Sequence, residues 1–456
     1  MRATPRHAAL TLLLALCASS APRATALLAQ AAPARAPRAA AAPAATPAPG
    51  PRPALARATP EAVGMSSVRL ERLTAALQHY VDQGMLVGGV ALVARHNRIA
   101  YLHAFGQRDR EAHALMPEDA IFRIASQTKA VVSVAAMALQ EEGALLISDP
   151  VSKYLPEFAR TTVAVARDSG RYDIVPARRP ITIRDLLTHT SGVSYGNGPA
   201  ADRWKAAGIQ GWYFADRDEP IGATIARMAA LPFDAQPGDK WIYGYSVDIL
   251  GAVLEKAAGL PLDEVVRTRV LAPLRMKDTH FYLPAADRNR LATVYSVRAG
   301  GALARTPDAG TMESQGQYVD GPRRSFSGGA GLLSTAGDYA RFLQMLANGG
   351  ELDGVRVLSP KSVQLMTVDH VGDRYGQPGV GFGLGFSVVK ELGARGQPGS
   401  FGEYGWGGAY HSTYWVDPQE DLVVVYFTQV LPAGSLDDHA RLRALVYQAI
   451  VDGGRR

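Results

Sequence analysis

The β-rich segments of this 456-residue chain stand at its two ends, while the stretch from roughly 126 to 320 is mostly helical pattern broken by Gly/Pro loops. Val87 to Ala94 and Ile99 to Phe105 are apolar and rich in β-branched residues, and the polar turn Arg95-His96-Asn97-Arg98 joins them as a hairpin. Two more such runs, Ala409 to Val416 and Leu422 to Gln429, are joined through Asp417-Pro418-Gln419-Glu420-Asp421. Strands must find partners, so this spacing predicts an α+β fold: one antiparallel sheet formed by both chain ends, flanked by helices, with a mainly helical subdomain inserted. Ser66 to Gln83 places Leu70, Leu73, Leu77, Tyr80 and Val81 at helical spacing, and a last helix is expected from about Asp437 to Asp452. The folded domain is expected over 60–456, with 60–125 and 321–456 as its α/β part and 126–320 as its helical part.

What precedes residue 60 reads differently. In residues 1–31, Arg2 and Arg6 stand ahead of an apolar stretch, and A-x-A patterns follow at Ala24-Thr25-Ala26 and Ala29-Gln30-Ala31, as in a secretory signal peptide. The expected location is therefore the periplasm or the exterior. Residues 32–59 are dominated by Ala, Pro and Arg, which cannot bury a core and read as an extended tether. Cys17 is the sole cysteine, so no disulfide or cysteine-held metal is expected. Leu14-Ala15-Leu16-Cys17 resembles a bacterial lipobox, and membrane attachment is expected only if Cys17 is lipidated. Of the formal charge of +6, Arg2, Arg6, Arg23, Arg35, Arg38, Arg52 and Arg57, all ahead of Glu61, supply +7, so the rest of the chain sums to −1. The remainder is close to neutral, which argues against nucleic acid as a partner.

Ser126 stands three residues before Lys129 at the mouth of an apolar run. Read blandly, Ser126 is a helix N-cap and Lys129 a solvated side chain. Positions i and i+3 share a helix face, however, and Ala130, Val131, Val132, Val134, Ala135 and Ala136 would bury that end. An amine held there can accept a serine proton. Ser387-Val388-Val389-Lys390 is the control, because in a strand i and i+3 point to opposite faces.

The combination of motifs resembles the serine β-lactamase and penicillin-binding-protein superfamily, in the branch of class C β-lactamases and carboxylesterases of that fold. Ser126-Gln127-Thr128-Lys129 is similar to its first motif, and LLTHTSG at Leu186 to Gly192 to a common landmark, here a fold marker. Tyr243-Gly244-Tyr245-Ser246 resembles the second motif, with Tyr243 as the catalytic tyrosine and Tyr245 in place of the usual asparagine. The run from Ser327 to Tyr339 extends the resemblance, which covers about 60 to 450. Gly405-Trp406-Gly407-Gly408-Ala409 stands where lactamases carry Lys-Thr-Gly, and this form resembles the esterase members. The resemblance implies Ser126 as nucleophile, Lys129 and Tyr243 sharing general-base work, and the N–H groups of Ser126 and Ala409 as the oxyanion hole. It also implies substrate contacts at Tyr245, Trp406, Gly407 and Gly408, to which the nearby His411 is added.

Rival constellations are absent: there is no Gly-x-Ser-x-Gly elbow and no His-Glu-x-x-His, and His189 reads as structural. The expectation is an exported serine hydrolase that forms an acyl-enzyme on a small-molecule ester, with no metal or organic cofactor. A β-lactam or D-alanyl amide is the alternative substrate. Trp406 offers an apolar face where those carboxylates need a cation, although Arg323, Arg324 or His411 could supply charge. A non-catalytic envelope-binding protein is the alternative from another class.

Overall fold

In the computed structural model, which describes residues 54–308, 312–433 and 435–453, both chain ends enter one sheet. Its strands are β1 (Ala56–Arg57), β2 (Gly88–Arg95), β3 (Arg98–Asp109), β4 (Val380–Phe382), β5 (Ser387–Val389), β6 (Tyr404–Gly408), β7 (Ser412–Asp417) and β8 (Leu422–Thr428). They lie in the order β1-β3-β2-β8-β7-β6-β5-β4, with a two-residue strand at Ala114–Leu115 added to β3. Only β1 on β3 is parallel along this path. The two chain ends join where β8 pairs with β2, from Leu422 opposite Arg95 to Thr428 opposite Gly89. The principal helices are α1 (Ser67–Asp82), α2 (Thr128–Glu141), α3 (Ser246–Ala258), α4 (Ala336–Ala347) and α5 (Asp438–Tyr447).

Every residue of β8 is buried. Successive strand side chains point to opposite faces, so a strand covered on both sides reads as an unbroken apolar run. Val423, Val425 and Phe427 enter the larger core with α2, α3 and α4, whereas Leu422, Val424 and Tyr426 enter a second core with α1 and α5. α2 is apolar nearly all round, and Thr128 to Leu139 are buried without interruption. Lys129 is therefore carried into the interior by its own helix.

Three boundaries differ from expectation. The tether was expected to reach residue 59, but Leu55 and Ala58 N–H groups donate to the Asn97 and Ile99 carbonyls of the β3 side (2.8 and 2.9 Å), and Ala54 and Leu55 are buried. The open edge of β3 is satisfied by this segment, which explains its order. The expected strand from Ala409 to Val416 is instead the end of a hairpin: β6 stops at Gly408, a turn occupies Ala409 to His411, and β7 follows. His411 takes φ +58° in that turn. Finally, the helical middle contains two hairpins, Thr162–Ala166 with Tyr172–Pro176 and Tyr295–Val297 with Leu303–Arg305. The leader, Cys17 and the tether up to residue 53 lie outside the described residues. Among the described residues no helix is long and apolar enough to cross a membrane.

Candidate active site

Ala125 has φ +43°, a left-handed conformation that costs a residue with a side chain roughly 1 to 2 kcal/mol. It opens a single 3-10 turn, Ala125–Gln127, ahead of α2. The helix-cap role that the sequence suggests for Ser126 is not observed: Gln127 holds the cap position, and neither turn nor helix has a side-chain cap bond. Strain of this kind persists where neighbours over-determine it. Here Ile124 N–H donates to Leu332 O (3.1 Å), Leu332 N–H to Thr128 Oγ1 (3.0 Å), Tyr339 O–H to Gln127 O (3.0 Å) and Gln127 Nε2 to Ser412 Oγ (2.9 Å).

One helical turn on, the Lys129 amine has three acceptors for its three protons. Nζ lies 3.3 Å from Ser126 Oγ, 3.0 Å from Tyr195 Oη and 2.8 Å from Gly329 O. It also sits 4.6 Å from the ring centre of Tyr243, within reach of a cation–π attraction. Only 2% of the lysine is exposed. The control behaves as strand geometry requires: Ser387 Oγ donates to Gly405 O, while Lys390 turns away to Asp369.

Tyr195 was missed from the sequence, where it follows the LLTHTSG landmark by three residues. Burial first, then the neighbouring Tyr243, Asp248 and Tyr245, push its hydroxyl well above the ordinary tyrosine range. It therefore stays a neutral phenol, able to pass a proton but not to hold a charge. Tyr243 accepts a hydrogen bond from Trp406 Nε1 (3.1 Å) and packs on His189, whose ring centre is 4.8 Å away. Burial, reinforced by Lys129, holds His189 well below the ordinary imidazole range, so it is a neutral packing surface.

Tyr245 does not reach the cleft. Its side chain is wholly buried, stacked on Trp204 at 5.7 Å and set edge-on behind Tyr195 at 5.0 Å, and its hydroxyl donates to Gly211 O (2.7 Å). The expected substrate contact is thus corrected to a support for Tyr195.

β6 reaches the Ser126 turn because Gly408 has no side chain. A Cβ there would lie 2.5 Å from Ile124 O, whereas at Gly407 the nearest atom would be Ser412 O at 3.0 Å. The backbone that approaches Gly408 closely is the protein's own. Ala409 follows in the turn and packs in one small cluster with Ala125 and Ala330. Ser126, Tyr195, Trp212, Tyr243, Trp406, Gly407, Gly408, Ala409 and His411 all border one cleft of about 910 Å³.

The polar rim of this cleft is tightly paired. His411 Nε2 bonds to Asp438 Oδ1 (2.7 Å) and its ring stacks on His439, centres 4.1 Å apart at 19°. These three residues bring ligand-type atoms within 4.8 Å of one another. The stacked His rings and the His411–Asp438 hydrogen bond account for this grouping without an ion. Arg395 and Arg443, also on the cleft, both pair with Glu403 (2.9 and 2.8 Å). Arg324 pairs with Asp218 and Arg323 faces another cavity, so neither supplies charge here.

Asp248 of α3 holds the acceptor of Lys129 in place. Its Oδ1 accepts from Ser327 Oγ (2.6 Å) and Gly329 N–H (3.0 Å), and the Ser327 hydroxyl accepts from Ala330 N–H (3.1 Å). Burial raises its carboxyl above the usual range, opposed by Lys129 and by these bonds. Asp248→Ala leaves two buried donors, the Ser327 hydroxyl and the Gly329 N–H, unpaired at roughly 1 to 3 kcal/mol each, so a loss of about 2 to 6 kcal/mol in urea unfolding is expected. Wild-type stability in this variant would show that the loop is held by other contacts.

A sheet closed by both chain ends, with a buried helix running back from the strained turn beside β6, is the architecture of the serine β-lactamases and penicillin-binding proteins, and the molecule is a serine hydrolase of that class. The chain belongs to the family described as Beta-lactamase, whose sequence model matches residues 73–448. Protein Rv1367c of Mycobacterium tuberculosis (strain ATCC 25618 / H37Rv) is 37% identical over 392 residues, which is 81% of this chain and 92% of that protein. Esterase EstB of Burkholderia gladioli is 34% identical over 399 residues, covering 83% of this chain and 95% of the relative. Among solved structures, EstCE1, described as a hydrolase with promiscuous acyltransferase activity, superposes with a TM-score of 0.74 at 31% identity, over 83% of this chain and 98% of that one.

Proposed function

We propose that this protein is an exported esterase that cleaves carboxylic esters of short or aromatic acids through an acyl-enzyme on Ser126. The observation that carries the reading is the buried Lys129 amine, 3.3 Å from Ser126 Oγ and 3.0 Å from Tyr195 Oη, directly behind these two residues where they border an aromatic-walled cleft. In its neutral form Lys129 takes the Ser126 proton as Oγ adds to the ester carbonyl. The N–H groups of Ser126 and Ala409 receive the oxyanion. The C–O bond to the alcohol then breaks, and the proton passes from Lys129 through Tyr195 or Tyr243 to the departing alkoxide. Because Trp406 donates to the Tyr243 oxygen, the proton of that phenol remains available for transfer. Water adds to the acyl group with the same residues as base, and Ser126 leaves with its proton restored.

The walls favour an apolar acid part. Trp241, Tyr375, Phe382 and Trp406 pack as one aromatic cluster beside Tyr243, and the arginines of the cleft are already bound to Glu403. A lactam or peptide carboxylate would have to lie against this surface without a cation of its own. The 34% identity to an esterase supports the same choice. Export through residues 1–31 is part of the proposal and places the enzyme in the periplasm or outside the cell. Comparing kcat/KM for p-nitrophenyl butyrate and nitrocefin tests the substrate class; the ester is expected to exceed the lactam by at least about tenfold, and the reverse order would overturn the esterase reading.

A further inference from the structure

A second cavity of about 480 Å³ lies apart from Ser126, between the segment that follows α3 and the stretch around Arg323. The proposed ester chemistry makes no use of it. Its floor is apolar: Leu271, Met276, Phe281 and Phe326, with the Phe326 ring edge-on to Phe281 at 5.5 Å. Its rim is cationic. Arg267 is bound to Glu264, and Arg323 donates to Tyr282 O (3.2 Å). Arg275 and Lys277 form no hydrogen bond through their side chains among the described residues, though each helps hold a nearby carboxyl low, Asp353 and Asp278 respectively.

The backbone is unusual at the same places. Arg275 and Arg323 take φ +54° and +58°, conformations that cost a residue with a side chain and gather at ligand clamps. Arg267–Leu271 forms a π-helical turn, a feature frequent at functional sites. The one acid of the lining, Asp263, is half-buried, and its desolvation raises its carboxyl. A mostly apolar cavity of this volume with a few charged groups in its lining is the usual form of a small-molecule site.

We infer that this cavity binds a small amphipathic monoanion, an aryl or medium-chain carboxylate, with its apolar body on Phe281 and Phe326 and its carboxylate between Arg275, Lys277 and Arg323. Phe281 also touches Gly331 of the loop whose Gly329 carbonyl holds Lys129, so an occupant would press on the loop behind the catalytic lysine. An inorganic anion gains nothing from the rings, and a neutral aryl alcohol gains nothing from the rim.

Isothermal calorimetry on the whole protein with naphthalene-2-carboxylate tests this without reference to activity. Submillimolar binding is expected, weakened at least tenfold in both Arg275→Glu and Arg323→Glu, whose side chains are exposed and whose melting temperatures should match wild type. 2-Naphthalenemethanol and inorganic phosphate should each bind at least tenfold more weakly than the carboxylate. Absence of binding up to 10 mM, affinity unchanged in the two variants, or equal affinity for the alcohol or for phosphate would each overturn the assignment.

Discussion

Lys129→Met should lower ester turnover by about 1000-fold while leaving KM nearly unchanged. Methionine keeps the length and apolar stem of the side chain but removes the amine that lies 3.3 Å from Ser126 Oγ and 3.0 Å from Tyr195 Oη. The same change leaves Gly329 O without its buried donor, at about 1 to 3 kcal/mol of stability. Stopped-flow single-turnover assays on the folded variant separate the two effects, since only loss of the chemical step slows acylation at saturating ester. Turnover within tenfold of wild type would remove Lys129 from the chemistry.

Gly408→Ala should cost about 100- to 1000-fold in kcat, the loss typical of one oxyanion donor. The added Cβ would meet Ile124 O at 2.5 Å, and both partners are backbone. Neither can turn aside, so β6 must move away from the Ser126 turn and take the Ala409 N–H with it. Gly407→Ala is the comparison, because its Cβ would meet only Ser412 O at 3.0 Å, and a much smaller loss is expected. Steady-state kinetics on both variants checks the ranking; equal losses would mean that the two glycines serve the substrate and not the packing of β6 on the turn.

The parts of the site legible in the sequence were those fixed by local spacing. Ser126 and Lys129 are one turn apart, so burial of α2 alone decides that they meet, and the apolar run after Lys129 announced that burial. Tyr195 was not legible for the opposite reason. It lies 66 residues from Lys129, and no periodicity links the two; only the fold of the segment after Gly192 brings them together. Tyr245 was misplaced because motif spacing places a residue along the chain but does not say which way it faces. It lies two positions beyond Tyr243 at the cap of α3, and its ring turns into the Trp204 and Phe214 core.

The sheet shows the same division. β2 and β8 were legible because their apolar runs are long and sit in the middle of the sheet, and β3 because a short polar turn ties it to β2. β1 was not, since Ala54 to Arg57 belongs by composition to the Ala/Pro-rich segment, and its order comes from the free edge of β3. The pairing of Arg443 with Glu403 was equally hidden, because it joins residues 40 positions apart on different elements in space.

Labelling with a fluorophosphonate probe, followed by peptide mass spectrometry, puts the identity of the nucleophile to the most direct test. One adduct on the peptide carrying Ser126 is expected for the wild-type protein, greatly slowed in Lys129→Met and missing in Ser126→Ala. An adduct on a different residue, or labelling of Ser126→Ala as fast as wild type, would contradict a serine hydrolase built on Ser126.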